Sequence, residues 1–450
     1  MLLRSILICL LLVAAGPAKP ADAARDKNLP SSLYTQAKTY DPLAWMHGAD
    51  RFPEGASIFL HDENGTHPLA PDFVASADPS VSFDGLRVLF AGKNHLQDPW
   101  QIWEMALDGG SPRRITAGKE DCIRPFYLPE ERVVFACKTA SRYVIDIADL
   151  EGGKPLALTY GPASFLPSDV LLDGRILFEA GYPLGTENTP EIYTVYSDGS
   201  GVESYRCDHG TARHSGKQNS TGDIIFASVD GLSRFTSARA EQIPVPVPRG
   251  QYAGDVVELA SGDWLLSWRP EAGSPFRLVR WRPGARELEA VQTEAGANAV
   301  QPALIVPHAV PNRHPSGLHD WVNANLLCLN AYTSKYEFIP GSIQSARLYT
   351  RESDGSAKLL GTAPVERDGS FFVQVPTERP LQIELLDASG KALKRESGFF
   401  WMRRGEQRAC VGCHAGPETA PENAVPQILL KSTTPADMTG ATAPNASGGH

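Results

Sequence analysis

No stretch of about 18 consecutive apolar residues occurs in this chain of 450 residues, so the sequence offers no transmembrane helix. Positive charge is also scarce. Lys and Arg number 42 against 52 Asp and Glu, a formal net charge of −10. Without a basic excess to neutralise phosphates, nucleic acid is not an expected partner. The chain lacks GxSxG, Walker A and HExxH sequences, which removes the common signatures of α/β-hydrolases, P-loop NTPases and zincins. Cysteine is limited to seven residues, and the single CxxC has no second CxxC or HxxxH to complete a four-ligand zinc site. Turn formers are plentiful, with 40 Gly and 36 Pro, though below the collagen or disordered range. At 42% hydrophobic, the chain has ample material for a core.

The N-terminus predicts export. Arg4 precedes an apolar run at 6–15 that is too short to span a bilayer, and Ala21-Asp22-Ala23 offers a small-x-small cleavage pattern. Residues 1–23 are therefore expected to be a Sec-type signal peptide, and the mature protein to be periplasmic or secreted, where disulfides persist. Cys122, Cys137, Cys207 and Cys328 allow three pairings. Cys122 and Cys137 are equidistant from a turn centred between Pro129 and Glu130, which would set them face to face across a hairpin. Pro125 inside the first strand works against that register, and buried free thiols remain the alternative.

A repeat dominates the middle of the chain. SFDGLRVLF (82–90), LPEERVVF (128–135), LLDGRILF (171–178) and STGDIIF (220–226) are versions of one strand-turn-strand unit. Their closing residues Phe90, Phe135, Phe178 and Phe226 are spaced 45, 43 and 48 apart, and SGDWLL (261–266) continues the series. A second turn in several units (Asp108-Gly109, Asp198-Gly199) separates outer strands such as QIWEMAL (101–107) and EIYTVYS (191–197). Two turns per unit imply four strands, and a period near 45 is that of a β-propeller blade. The expected fold is mainly β: a propeller over 44–334 with six blades and room for a seventh. The strand at 56–60 belongs to a blade completed by the far end of the chain, and 326–334 is expected to help close the ring. The stretch PSVSFDGLRVLF…QIWEMALDGGSPRRIT (79–116) resembles the TolB-type propeller repeat.

Beyond the proline-rich connector 302–321, residues 341–400 carry four or more strands with short polar turns. Leu381, Ile383 and Leu385 alternate with Gln382 and Glu384, the period of a half-buried strand. A small antiparallel sandwich is expected here, then a cofactor-binding segment at 401–430 and a disordered tail at 431–450.

Cys410-Val411-Gly412-Cys413-His414 is the c-type haem attachment pattern. Two thiols at this spacing add across the vinyl groups, and the following imidazole is thereby held under the iron. One covalent haem c is expected, tethered by Cys410 and Cys413 with His414 as proximal ligand. A Cys410–Cys413 disulfide would leave His414 unexplained. The prolines that follow leave no helices to wrap the macrocycle, so the sandwich, the propeller or a partner must cover it. Candidates for the sixth ligand are His308, His314 and His319 on the connector, His209 and His214 between blades, and Met402; Met438 lies in the tail. Arg403, Arg404 and Arg408 are candidate propionate partners.

GTAPVERDGSFFVQVP…LQIELLDASGKAL…RRGEQRACVGCHAG (361–416) resembles proteins related to the hydrazine synthase alpha subunit. The resemblance implies a propeller middle domain joined to a haem-bearing C-terminal region, with the haem residues on Cys410, Cys413 and His414. It also implies membership of a larger complex. The hydrazine-forming subunit carries more than one covalent haem, whereas this chain has one CxxCH and no Tyr after His414. What is implied is therefore architecture and haem, not hydrazine formation. Three functions follow: electron transfer to a redox partner protein, haem oxidoreduction of a small nitrogenous substrate, or a non-enzymatic envelope scaffold.

Overall fold

The computed structural model describes residues 29–181, 189–206, 210–238, 240–291, 293–294, 296–334, 336–352, 355–396, 398–413 and 423–440. The expected signal peptide, Cys207, His209 and His414 lie outside these residues. Among the described residues, no helix is long and apolar enough to cross a membrane.

Between Ser32 and Leu304 the described chain forms six sheets. Five follow chain order from an innermost strand outward. The second sheet, for example, runs through Ala75–Val81, Arg87–Lys93, Gln101–Ala106 and Arg113–Arg114. The innermost strands of successive sheets touch around a common axis, giving a β-propeller. The repeat read from the sequence marks the second strand of each sheet, and Phe90, Phe135, Phe178 and Phe226 are fully buried there. Each fills the apolar space between neighbouring sheets, burial worth about 1.5–3 kcal/mol per side chain. The first sheet is sealed differently. Its innermost strand is Asn298–Leu304, paired antiparallel with Ser32–Ala37, which in turn pairs with Ser57–Asp62. The ring therefore begins before residue 44 and closes at 304.

Ala324–Cys328, expected at the ring closure, belongs instead to the C-terminal unit. There it pairs antiparallel with Phe371–Val375 and parallel with Gln407–Cys410. A second sheet combines Ala357–Pro364, Ser345–Arg351, Leu381–Leu386 and Ala392–Arg395. The two sheets enclose a core of Leu348, Val373, Val375, Leu381 and Met402. This sandwich is mixed rather than antiparallel, because two of its pairings join segments distant in the chain, which a tight hairpin cannot do. Part of the tail expected to be disordered is ordered. Ala436–Asp437 pairs with the strand at Phe371–Val375, and Met438 is 1% exposed in the sandwich core.

The Cys122–Cys137 disulfide is present. Its hairpin loop is one residue longer than the symmetric reading, pairing Leu128 with Arg132. A bulge between Ile123 and Phe126, around Pro125, shifts the register back and sets Cys122 opposite Cys137.

Candidate functional site

The CxxC pair lies where the sandwich meets the propeller. Trp401 is 1% exposed and inserts between the third and fourth propeller sheets. Its ring lies edge-on to Phe165 at 5.4 Å, and its indole N–H donates to the Leu158 carbonyl at 3.1 Å. Arg403 reaches the Ala157 carbonyl, the Tyr160 hydroxyl and Glu378. Glu406 accepts from the Arg403 N–H at 2.7 Å, from the Gly201 N–H at 3.1 Å and from Arg408 at 2.6 Å. Arg403 and Arg408 are thus engaged in fixing the sandwich to the propeller. Of the three expected propionate partners, only Arg404 is exposed.

Immediately after this anchor, Gln407–Cys410 enters the sandwich sheet at its edge. Cys410 and Cys413 are half-buried and, like Tyr332 and Phe338, pack against the sandwich core. Gly412 sits on the turn 330–333. A Cβ there would lie 2.0 Å from the Thr333 carbonyl oxygen and 2.8 Å from that of Asn330. Only glycine permits this approach, so the residue between the cysteines locks the attachment loop to the sandwich. The Tyr332 hydroxyl fixes the next part of the wall, accepting from the Ile343 N–H at 3.1 Å. Burial pushes the Cys410 thiol up, against the pull of Arg408.

Two thiols at CxxC spacing, both partly exposed, one at the end of the edge strand and the other just past the loop that Gly412 seats on the turn 330–333, fit a covalently tethered macrocycle on the sandwich surface.

The sixth-ligand candidates separate. His319 docks against the loop preceding the attachment strand: its N–H donates to the Gly405 carbonyl at 3.2 Å, and its ring stacks on Trp321. His308 and His314 lie instead on the propeller face. The His308 N–H donates to Phe83 O at 2.9 Å, while His314 stacks on Tyr196. The connector runs along the first turns of the sheets, and Gly85 and Gly174, the glycines of the repeat, meet its backbone. His214 lies on an innermost propeller strand, its Nδ1 3.2 Å from Ser215 Oγ, and burial pushes it down to about 4. Met402 is fully buried in the sandwich core.

A second feature was missed at the sequence level. The propeller axis holds a funnel of about 370 Å³, with His308 among its lining residues. Its floor is a buried ionic network. Arg124 grips Asp255 with two hydrogen bonds of 2.8 and 3.1 Å. Asp78 accepts from Arg51 at 2.6 Å, from the Arg124 N–H at 3.0 Å and from Gln301 at 2.5 Å. Burial opposes the Asp78 charge, but the two guanidiniums outweigh it and hold the carboxyl below its usual range. Nearby, burial pushes Glu179 up to about 7. Asp78, Arg124 and Gln301 have positive φ at bulges of their strands, and Asp255 has positive φ between the short strands Gln251–Tyr252 and Val257–Glu258. The available signal was a polar residue before proline recurring at 78/79, 124/125 and 301/302.

Fold and site together define a propeller–sandwich protein with a CxxCH segment at the junction of its two units. The family described as hydrazine synthase alpha subunit middle domain matches residues 331–415. That span is the sandwich and the CxxCH motif, so the middle-domain label falls there and not on the propeller. The hydrazine synthase subunit alpha of Kuenenia stuttgartiensis is 39% identical over 98 residues, covering 21% of this chain and 12% of that relative. The solved structure of Kuenenia stuttgartiensis hydrazine synthase superposes with a TM-score of 0.76 at 18% identity, over 90% of this chain and 72% of that one. The second likeness speaks to fold alone. The chain is related to the hydrazine synthase alpha subunit, and its sequence match spans 12% of the length of that curated relative.

Proposed function

We propose that this chain is an exported c-type cytochrome-like protein that transfers electrons through one covalent haem. Cys410 and Cys413 would form the thioether bonds and His414 would hold the iron from its proximal side. The observation that carries this reading is the CxxCH motif at the end of an edge strand, with Gly412 seated on the Asn330–Thr333 turn and both thiols half-buried against the sandwich core. A haem in this position supplies a one-electron couple. The residues of the chain do the positioning: Trp401, Arg403, Glu406 and Arg408 fix the attachment strand against the propeller, and the turn 330–333 backs the loop. The propeller then serves as the docking platform for a redox partner, within a larger complex as the relation to a synthase subunit suggests.

A second reading, oxidoreduction of a small nitrogenous substrate, is favoured by that relation and by the funnel on the propeller axis with its ionic floor.

The test is a pyridine haemochrome spectrum of the full chain, expressed with its own leader beside a cytochrome maturation system. A c-type spectrum at one haem per chain is expected, and a colourless protein overturns both readings. Low-spin iron indifferent to carbon monoxide supports electron transfer; high-spin iron that binds carbon monoxide favours the oxidoreductase.

A further inference from the structure

The attachment site contains a third thiol. Ala324–Cys328 and Gln407–Cys410 run parallel, and their register places Cys328 opposite Cys410. Residues paired in this way point to the same face, and neighbouring strands lie about 4.8 Å apart. That spacing falls within the roughly 4.4–6.8 Å between Cα atoms that a disulfide spans. The pairing is held at its end by the Leu329 N–H, which donates to the Cys410 carbonyl at 2.9 Å. Cys328 is 3% exposed, whereas Cys410 and Cys413 are half-buried, and all three share one apolar cluster. Burial, with Cys410 and Cys413 adding to it, pushes the Cys328 thiol up.

We propose that Cys328 is a resolving thiol for Cys410, closing a Cys328–Cys410 disulfide whenever the chain is without haem. The accessible member reacts first. The Cys410 thiolate attacks one sulfur of a small-molecule or protein disulfide, making a mixed disulfide and expelling the oxidant's other sulfur as a thiolate. Cys328 then gives up its proton and attacks Cys410 Sγ from within the fold. The bond to the oxidant breaks, and its second sulfur leaves as a thiolate that takes a proton. Two chain thiols are oxidised and one oxidant disulfide is reduced to two thiols. Cys413 shares the cluster, but only Cys410 lies in register with Cys328 on the neighbouring strand, so the bridge forms to Cys410. The bridge keeps Cys410 out of wrong pairings and makes its reduction a precondition for thioether formation. That consequence rests on the haem reading above, whereas the bridge itself does not.

The test uses the full haem-free chain, reduced and then exposed to oxidised glutathione, quenched in acid, alkylated and mapped as peptides. A linked Cys328–Cys410 peptide with Cys413 alkylated is expected, forming several-fold faster at pH 8.5 than at pH 7 because Cys410 and then Cys328 must ionise. A Cys410–Cys413 bridge, or alkylation of all three thiols, overturns the proposal. In Cys328→Ala the linked peptide should vanish while glutathione remains on Cys410. If a variant chain without the bridge binds no more haem than the parent, measured as haem-bearing mass fraction under oxidising expression, the gating role is overturned. A bridged chain that never acquires haem would instead overturn the function proposed above and leave the disulfide standing.

Discussion

Replacing Trp401 by alanine should separate the two halves of the molecule energetically. The indole is 1% exposed, sits against Phe165 and Phe178 of the propeller, and donates to the Leu158 carbonyl. Its closest neighbours include Gly161, too small to fill the gap left behind. Truncating a buried tryptophan costs about 3–5 kcal/mol, through lost transfer energy and a cavity that collapses only in part. An unsatisfied Leu158 carbonyl adds to that cost. Because Trp401 couples two units, the loss should appear as a loss of cooperativity as well as a lower midpoint. Calorimetry of the full chain should show the variant's sandwich melting ahead of its propeller. Trp401→Phe keeps the ring contacts but drops the N–H bond, and should cost about 1 kcal/mol. A Trp401→Ala thermogram superimposable on that of the parent would refute the argument that this side chain anchors the attachment strand.

Two further outcomes follow from geometry and charge. Gly412→Ala places a methyl group 2.0 Å from a carbonyl oxygen, so the loop must lift off the turn 330–333; covalent haem per chain, read by haem staining, should fall severalfold, and an unchanged yield would contradict the proposed role of the glycine. Burial pushes the Asp146 carboxyl up to about 6, above the roughly 3.9 of an unfolded chain. Its folded form therefore favours the proton, and the stability it lends below about pH 4 is lost as pH rises through 6. Asp146→Asn should remove that slope and stabilise the protein at pH 7 by an amount up to about 3 kcal/mol. Urea unfolding at pH 4.5 and pH 7 measures it, and parallel pH trends in variant and parent would count against it.

Local features were the legible part of the sequence. The second strands and their Asp-Gly turns could be read because each propeller sheet repeats them, and the same glycines then serve as seats for the connector. The CxxCH motif was visible because it is contiguous. The disulfide was anticipated by symmetry about a turn, although two opposite shifts of one residue had to cancel for Cys122 to face Cys137. What escaped notice depends on distant segments. Ser32–Ala37 shows little alternation because both its faces are covered, and its partner Asn298–Leu304 is more than 260 residues away. Cys328 was placed with the ring because nothing near it names a partner some 80 residues on. Arg403 and Arg408 looked free for an anion because their partners Ala157, Tyr160 and Val202 belong to the propeller.

The seam that joins Thr35 to Val300 bears on how this protein is made. Five propeller sheets can form from contiguous stretches as they emerge, but the first cannot be completed until some 300 residues have been synthesised. Contacts of such sequence separation are slow to form, and until this one does, the strand at 32–37 offers an open edge to any neighbouring chain. A cut anywhere before the seam should yield aggregates rather than a smaller propeller, whereas a circular permutant that makes the seam contiguous should fold faster than the natural order.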